Sequence, residues 1–462
     1  MFVSHSPSLG GAERVLWMLL AGLPRDRFQP SVLVRTPHWR LQHRQPLRDA
    51  ITNMGIDTHS VDLRWWVRDW PFQASFARGL PRRVERIAEL IERGQPDLVV
   101  SNTCAAVEAA LATRLCGVRH VWHVHEMIDR DPGLKPFLPS EEFHRLVEQL
   151  SEHVVVVSNA VREGFLGAGV EASRVTTVYN GLPAVSSLPS SAITAAPNSP
   201  CPTPVLAPAA SASCPNRTDL FGINPRAPVV CYVGRLSVRK GVVDFIECAN
   251  RVLRRLPGTH FVLAGPDGGE RRRLGKRIRQ LGIEQSVHLL GPRKDVHDIL
   301  RASDVLVVPS HADPLPLVVL EGMRAGLPVV ATASGGCVEM VDDGRTGHLV
   351  PVGAVAGMSR AVTTLIEQPE HRRRMGQRGK ARFHERFSHH RFVSDMTRVC
   401  DDVLAAPPPN ASLARRQAEQ LIRFLQQSAE CASKERWLRA TWSERLRAAA
   451  IHAAQRSGLL RS

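Results

Sequence analysis

The chain has 462 residues, 43% of them hydrophobic and 23% charged, a globular composition too long for one ordinary domain. Its net charge is +16, yet no helix-turn-helix, zinc-finger or aromatic RNA-binding pattern accompanies the basic residues, so nucleic acid is not an expected partner. Nine scattered Cys without Cys-x-x-Cys spacing suit a reducing cytosol, and no apolar run reaches the ~18 residues of a membrane span.

Phe2-Val3-Ser4-His5 reads as a very short first strand running into Gly10-Gly11-Ala12-Glu13. Paired glycines at a strand-to-helix turn let backbone approach a ligand, and the helix start offers amides to an anion. The spacing is not Gly-x-Gly-x-x-Gly, so a dinucleotide fingerprint is unsupported. Val32–Val34, Asp97–Val100, Val121–Val124 and Val154–Val157 read as buried parallel strands, with helical patterns over Arg82–Arg93 and Ala105–Leu115. His125-Glu126 follows a strand end, where α/β folds place ligands. His123 is assigned to the opposite strand face, as a core or supporting residue. Asp129-Arg130-Asp131 fits a metal-binding Asp-x-Asp but has a loop context, and no metal is expected.

Residues 183–218 are dense in Pro, Ser and Ala and read as a flexible linker. Strand and helix patterns then resume: Val229–Val233, His260–Ala264, Val287–Leu290 and Val305–Val308, with helices over Val242–Leu256 and Arg271–Leu281. Gly234-Arg235-Leu236-Ser237-Val238-Arg239-Lys240-Gly241 follows a strand and opens a helix. Arg and Lys five residues apart can converge on phosphate oxygens. Gly265-Pro266-Asp267-Gly268-Gly269 and Gly291-Pro292-Arg293 also follow strands. Asp313 and Glu321 stand eight apart at the edge of an apolar run, which reads as the first turns of a buried helix stopped by Gly326-Leu327-Pro328. Ser334-Gly335-Gly336, with Glu339, reads as shape rather than chemistry. Beyond Ala405–Asn410, the tail 410–462 reads as one or two Arg-rich amphipathic helices.

The acid pair and the Gly-Arg-x4-Lys-Gly run together resemble retaining glycosyltransferases of the group 1/family 4 type. The resemblance implies two Rossmann-like α/β domains facing across a cleft (GT-B), here with a C-terminal helical extension. It implies an acceptor domain over 1–182, a nucleotide-sugar domain over 219–386, and a helix over 387–404 crossing back to the first domain. By the same resemblance His125 and Asp313 are catalytic, and Gly10, Gly11, Arg235, Lys240, Gly265, Arg293, Leu317 and Glu321 bind the donor. Asp313 meets the sugar and Glu321 the ribose. No metal and no cofactor is implied beyond the nucleotide-diphosphate sugar co-substrate. The acceptor would be a glycan or lipid-linked molecule in bacterial surface polysaccharide or glycolipid synthesis. The expected location is cytoplasmic, with the tail docking on an anionic membrane surface or partner protein, or packing on the catalytic domains. Asp313 in place of Glu, Pro316 in place of Gly, and the long linker depart from the family pattern. They leave a catalytically inactive scaffold open, and an epimerase of the same fold is a further alternative.

Overall fold

The computed structural model describes residues 1–36, 45–67, 72–131, 133–183 and 216–439. The chain forms two compact units, one from residues 1–178 with 393–462, the other from 179–392. In the first, β1 (Phe2–Ser4), β2 (Ser31–Arg35), β3 (Asp57–Val61), β4 (Leu98–Ser101), β5 (Arg119–Val124), β6 (His153–Val156) and β7 (Val175–Thr177) form one parallel sheet. Its order is β3-β2-β1-β4-β5-β6-β7, so the chain reverses direction across the sheet between β1 and β4. β2, β4 and β6 each carry a buried run of three Val or Leu, as strands covered on both faces do.

In the second unit, β8 (Val229–Val233), β9 (His260–Ala264), β10 (Val287–Gly291), β11 (Val305–Val308), β12 (Val329–Thr332) and β13 (Gly347–Val350) run β10-β9-β8-β11-β12-β13, all parallel. The reversal here lies between β8 and β11. Phe245, Phe261, Val305 and Val307 are among the fully buried residues of its core. Both units are therefore doubly wound α/β folds, the Rossmann-like pair of a GT-B protein.

Several boundaries differ from the sequence reading. Residues 179–183 belong to the second unit, because Leu182 bridges Ser388 and Arg324 Nη1 donates to the Pro183 carbonyl at 2.7 Å. The first unit thus ends at Val178 rather than at 182. At the far end of the presumed linker, Asn216 caps a short helix, Arg217–Phe221, so folded chain resumes before Asp219. The rest of the linker, with Cys201 and Cys214, lies outside the described residues. The seven described cysteines are free. The return helix runs His389–Ala405, and the first unit resumes at Val393.

Among its described residues the tail forms one helix, Ala411–Arg439, packed on the helices Phe72–Gly94 and Glu108–Leu115 of the first unit. Ala414, Ala418, Ile422, Leu425 and Ala429 are buried at helical spacing, while Leu413 and Phe424 face solvent. In the amphipathic pattern of this tail Ile422 and Leu425 are thus core. The Trp437 side chain and Trp442 lie outside the description. Pro81 sits inside the helix Phe72–Gly94 and cannot donate to the carbonyl four residues back. That carbonyl, of Ala77, accepts instead from Gln426 Nε2 of the tail helix at 3.2 Å.

Candidate active site

The second unit gathers its predicted residues at the C-terminal strand ends. Three successive loops hold one another there by backbone: Gly234 N–H donates to Ala264 O at 2.9 Å, Gly265 N–H to Gly291 O at 2.8 Å, and Leu236 N–H to Pro266 O at 2.9 Å. A side chain at Gly265 would place Cβ 1.9 Å from the Gly234 carbonyl, and one at Gly241 would place it 1.8 Å from that of Pro309. These glycines are required by close backbone approach.

Lys240, beyond β8, ion-pairs with Asp313 Oδ2, beyond β11, so the pair spans the point where strand order reverses. Asp313 is only 6% exposed. It lies in a loop rather than in a first helical turn, since the helix begins at Leu317 and runs to Ala325. The loop is fixed from behind. Gly336 N–H donates to the Asp313 carbonyl at 3.0 Å, and a Cβ on Gly335 would stand 1.9 Å from that same oxygen. Arg239 Nη1 donates to the Ala312 carbonyl at 2.9 Å. No side chain caps the helix Leu317–Ala325, and Glu321 is buried one turn inside it.

The two outer cations differ. The Arg235 guanidinium is exposed and makes no ion pair among the described residues, while its backbone carbonyl is held by Tyr232 Oη at 2.7 Å. Arg293 is committed to Asp295, with Nε 2.8 Å from Oδ1, and this bond holds the Asp295 carboxyl below its usual range. Arg293 therefore shapes its loop, and Arg235 is the open cation.

The first unit also places residues at strand ends, where His5, Glu13 and Asn102 are buried and His125 and Glu126 half-buried. His125 Nε2 lies 3.2 Å from Asn102 Oδ1, and Asn102 Nδ2 donates to the Ala12 carbonyl at 2.9 Å. Asn102 thus ties the end of β4 to His125, beyond β5, and to the helix Gly11–Gly22, beyond β1. Burial, then the neighbouring His123 and His5, push the His125 pKa well below the ordinary imidazole value. His123 was expected on the opposite strand face. A period of two instead puts residues 123 and 125 on the same face, and their rings lie 4.2 Å apart. His123 is buried, as a core residue should be.

Gly10 precedes the helix Gly11–Gly22 with no side-chain cap of its own. Glu13, at the third helical position, bends back so that its Oε2 would lie 2.6 Å from a Cβ on Gly10. Burial raises the Glu13 pKa to about 8, against partial relief from backbone amides of Glu13 and Gly10. The His5 ring lies 3.3 Å from Glu13 Oε1, and burial, with Arg35, lowers its pKa to about 3. Glu126 turns away from solvent. Its carboxyl accepts from Thr103 Oγ1, from Cys104 N–H at 3.3 Å and from His125 N–H at 3.0 Å, which makes it a brace for the loop. Asp129-Arg130-Asp131 lies in a turn, and no cluster of metal-ligating side chains occurs among the described residues.

Sequence reasoning left out Asn102, His5 and Glu13. The strand-end rule that selected His125 also covers Asn102 and His5, and Glu13 stood within the quoted glycine run.

Comparison with known proteins bears on the family and the fold. The family Glycosyltransferase Family 4 matches residues 9–184, and Glycosyl transferases group 1 matches residues 219–382. The lipopolysaccharide core biosynthesis glycosyltransferase LpsE of Rhizobium meliloti is 38% identical over 153 residues, 33% of this chain and 44% of that protein. The alpha-maltose-1-phosphate synthase of Mycolicibacterium smegmatis is 29% identical over 298 residues, 60% of this chain and 71% of that protein. Matches to the first relatives thus span less than half of their length. The Anabaena protein HepE, solved with UDP and glucose, has the same fold with a TM-score of 0.67 and 23% identity, over 87% of this chain and 98% of that one.

Proposed function

The chain belongs to the glycosyltransferases of group 1 and family 4, and from that premise we propose that it moves a sugar from a nucleoside-diphosphate donor to a hydroxyl of a glycan or lipid-linked acceptor, retaining the anomeric configuration. The observation that carries the reading is the Lys240–Asp313 pair across the strand reversal, beside the open Arg235. A diphosphate entering there meets two cations and the uncapped amides at Leu317, while Asp313 and Glu321 accept from sugar and ribose hydroxyls.

In this reading the bond from the anomeric carbon to the phosphate oxygen breaks, and the negative charge that grows on that oxygen is stabilised by Arg235 and Lys240. The acceptor oxygen attacks from the same face and passes its proton to the departing phosphate. His125, kept neutral and oriented by Asn102, contacts the sugar. Lys240 changes partner from Asp313 to phosphate when the donor binds, which frees that carboxylate for a sugar hydroxyl. Neither a metal nor a resident cofactor takes part in this scheme.

The relative's role in lipopolysaccharide core synthesis supports surface glycan or glycolipid assembly as the setting. A cytoplasmic site of action goes with it. No described helix is long and apolar enough to cross a membrane. Attachment to an anionic surface would fall to the outer face of Ala411–Arg439, where Leu413, Arg416, Arg423 and Phe424 are exposed, and liposome flotation tests it. The Anabaena protein was solved with UDP and with UDP-glucose, so UDP-sugars are the first donors to try, ahead of GDP- and ADP-sugars. Slow release of nucleoside diphosphate from one of these donors is expected. An altered sugar without release would mean epimerisation. Absence of both binding and release across the panel would refute the proposal in favour of an inactive scaffold.

A further inference from the structure

The first unit contains a cavity of about 330 Å³ that begins at Glu126, next in sequence to His125. Asp129, Glu141 and Glu163 line it against a single cation, Arg130. An acidic hollow is conspicuous on a chain whose net charge is +16. The cavity is floored by the helix Asn159–Gly167, and Gly164 and Gly167 leave that floor bare.

One buried polar group faces this space. His144 is 3% exposed. Its Nδ1 donates to the Ser140 carbonyl at 2.7 Å, so in the neutral ring Nε2 is left as an acceptor. Phe143 and Phe165 meet the ring edge-on and fix its plane. The nearest carboxylate oxygen, Asp129 Oδ2, is 3.9 Å from Nε2, too far for a hydrogen bond. Both atoms look over Gly164: a Cβ built there would lie 2.9 Å from Asp129 Oδ2 and 3.2 Å from His144 Nε2. The missing methyl group is therefore what keeps the two acceptors open to the cavity.

Two acceptors about 4 Å apart, one of them anionic and with further carboxylates around them, match a group with several donors and a positive charge. A primary ammonium has three N–H donors on one compact cation and can bond to both at once. We propose that this cavity is the acceptor subsite, and that it selects acceptors carrying an ammonium group, such as an aminosugar unit, over neutral or phosphorylated ones. A phosphate would meet three carboxylates and an imidazole with no N–H to offer. The proposal rests on the transferase reading for the word acceptor; the binding preference itself does not.

The test measures binding first, without donor. The full chain is titrated by ligand-observed magnetic resonance with methyl 2-amino-2-deoxy-glucoside, its N-acetyl form, methyl glucoside and glucose 6-phosphate. The amine is expected to bind about tenfold or more tighter than the other three, which one charge-assisted contact supplies. Gly164→Ala should abolish the preference: the added methyl fills the space between the acceptors, favours the helix, displaces the exposed end of Asp129 and presses on the His144 ring at 3.2 Å. Asp129→Asn should weaken amine binding and leave the neutral glycoside unchanged. Equal binding of amine and neutral glycoside, or unchanged amine binding in Gly164→Ala, overturns the proposal. UDP affinity is measured alongside in calorimetry and should be the same in all variants. Amine selectivity without any UDP binding would sink the transferase reading and spare the cavity.

Discussion

The two sheets end in opposite electrostatics. At the strand ends of the second unit the groups form ion pairs: Lys240 with the buried Asp313, and Arg293 with Asp295, with Arg235 exposed to solvent. At the strand ends of the first unit the corresponding groups are buried or half-buried, and burial shifts each toward its neutral form. His5 and His125 resist protonation, and Glu13 and Glu126 resist ionisation. The same doubly wound architecture thus presents an ionic site and a dry polar one. The first suits a diphosphate, whose charge must be met by charge; the second suits sugar hydroxyls, which neutral donors and acceptors orient without a competing net charge.

The sharpest way to break the ionic site leaves every charge in place. Gly335 has φ +53°, and its Cβ would collide with the Asp313 carbonyl at 1.9 Å. Gly335→Ala must push the Asp313 loop aside. A misplacement of this kind is expected to lower kcat/KM on the order of 100-fold, with Asp313→Ala abolishing transfer. Gly11→Ala, in open space at the first unit's helix start, is the control and should fold and melt as the parent does. Unimpaired turnover by Gly335→Ala would show that Asp313 is not held for chemistry.

The units also differ in what covers them, since the first borrows the tail helix. Leu425→Ala removes a fully buried side chain from that contact and should cost about 2–5 kcal/mol in urea unfolding. Gln426→Ala leaves the Ala77 carbonyl, already deprived of a donor by Pro81, without its replacement, at a cost of about 1–3 kcal/mol. A chain ending at Pro409 that melts like the full chain would refute this account. The tail would then be an appendage, and a membrane-docking role would gain ground.

Within the ionic site, Arg235→Ala and Lys240→Ala should each weaken nucleoside-diphosphate binding by about 1–3 kcal/mol, with the bare nucleoside nearly unaffected. Lys240→Ala has a second consequence, because it leaves Asp313 buried without its cation. Calorimetry with diphosphate and nucleoside separates the cases. Equal losses for both ligands would deny the cations a phosphate role.

Legibility in the sequence followed burial. Val229–Val233, His260–Ala264 and Val305–Val308 were plain because strands covered on both faces are continuous apolar runs. Three of the four sheet-edge strands escaped notice, Val287–Gly291 being the exception: Asp57-Thr58-His59-Ser60-Val61 is mostly polar because one side faces water, Val175–Thr177 is short, and Gly347-His348 breaks the apolar run of Gly347–Val350. The ionic site was readable because it is local, with Arg235 and Lys240 in one turn and the glycines beside them. The dry site was not. It is assembled from His5, Glu13, Asn102 and His125 on three separate connections, and no spacing along the chain encodes which strands are neighbours.

A last prediction tests whether that dry site is neutral. Glu13 titrates near 4.5 when unfolded and near 8 when folded, so the folded state holds a proton that the unfolded chain releases between those values. Stability from this group is complete below about pH 4.5 and is lost as pH rises through about 8. His5 acts on the other flank. Its folded pKa of about 3 lies below the ordinary 6.5, so its contribution is present above 6.5 and is lost as pH falls toward 3. Glu13→Gln keeps the shape and hydrogen-bonding of the protonated acid but cannot ionise. The variant should match the parent below about pH 4.5, gain on it steadily as pH rises to about 8, and keep that lead above it. Melting curves across pH 5 to 9 decide it. Parallel curves would mean that Glu13 is ionised at neutral pH, paired with a protonated His5, and that the first unit's site is as ionic as the second's.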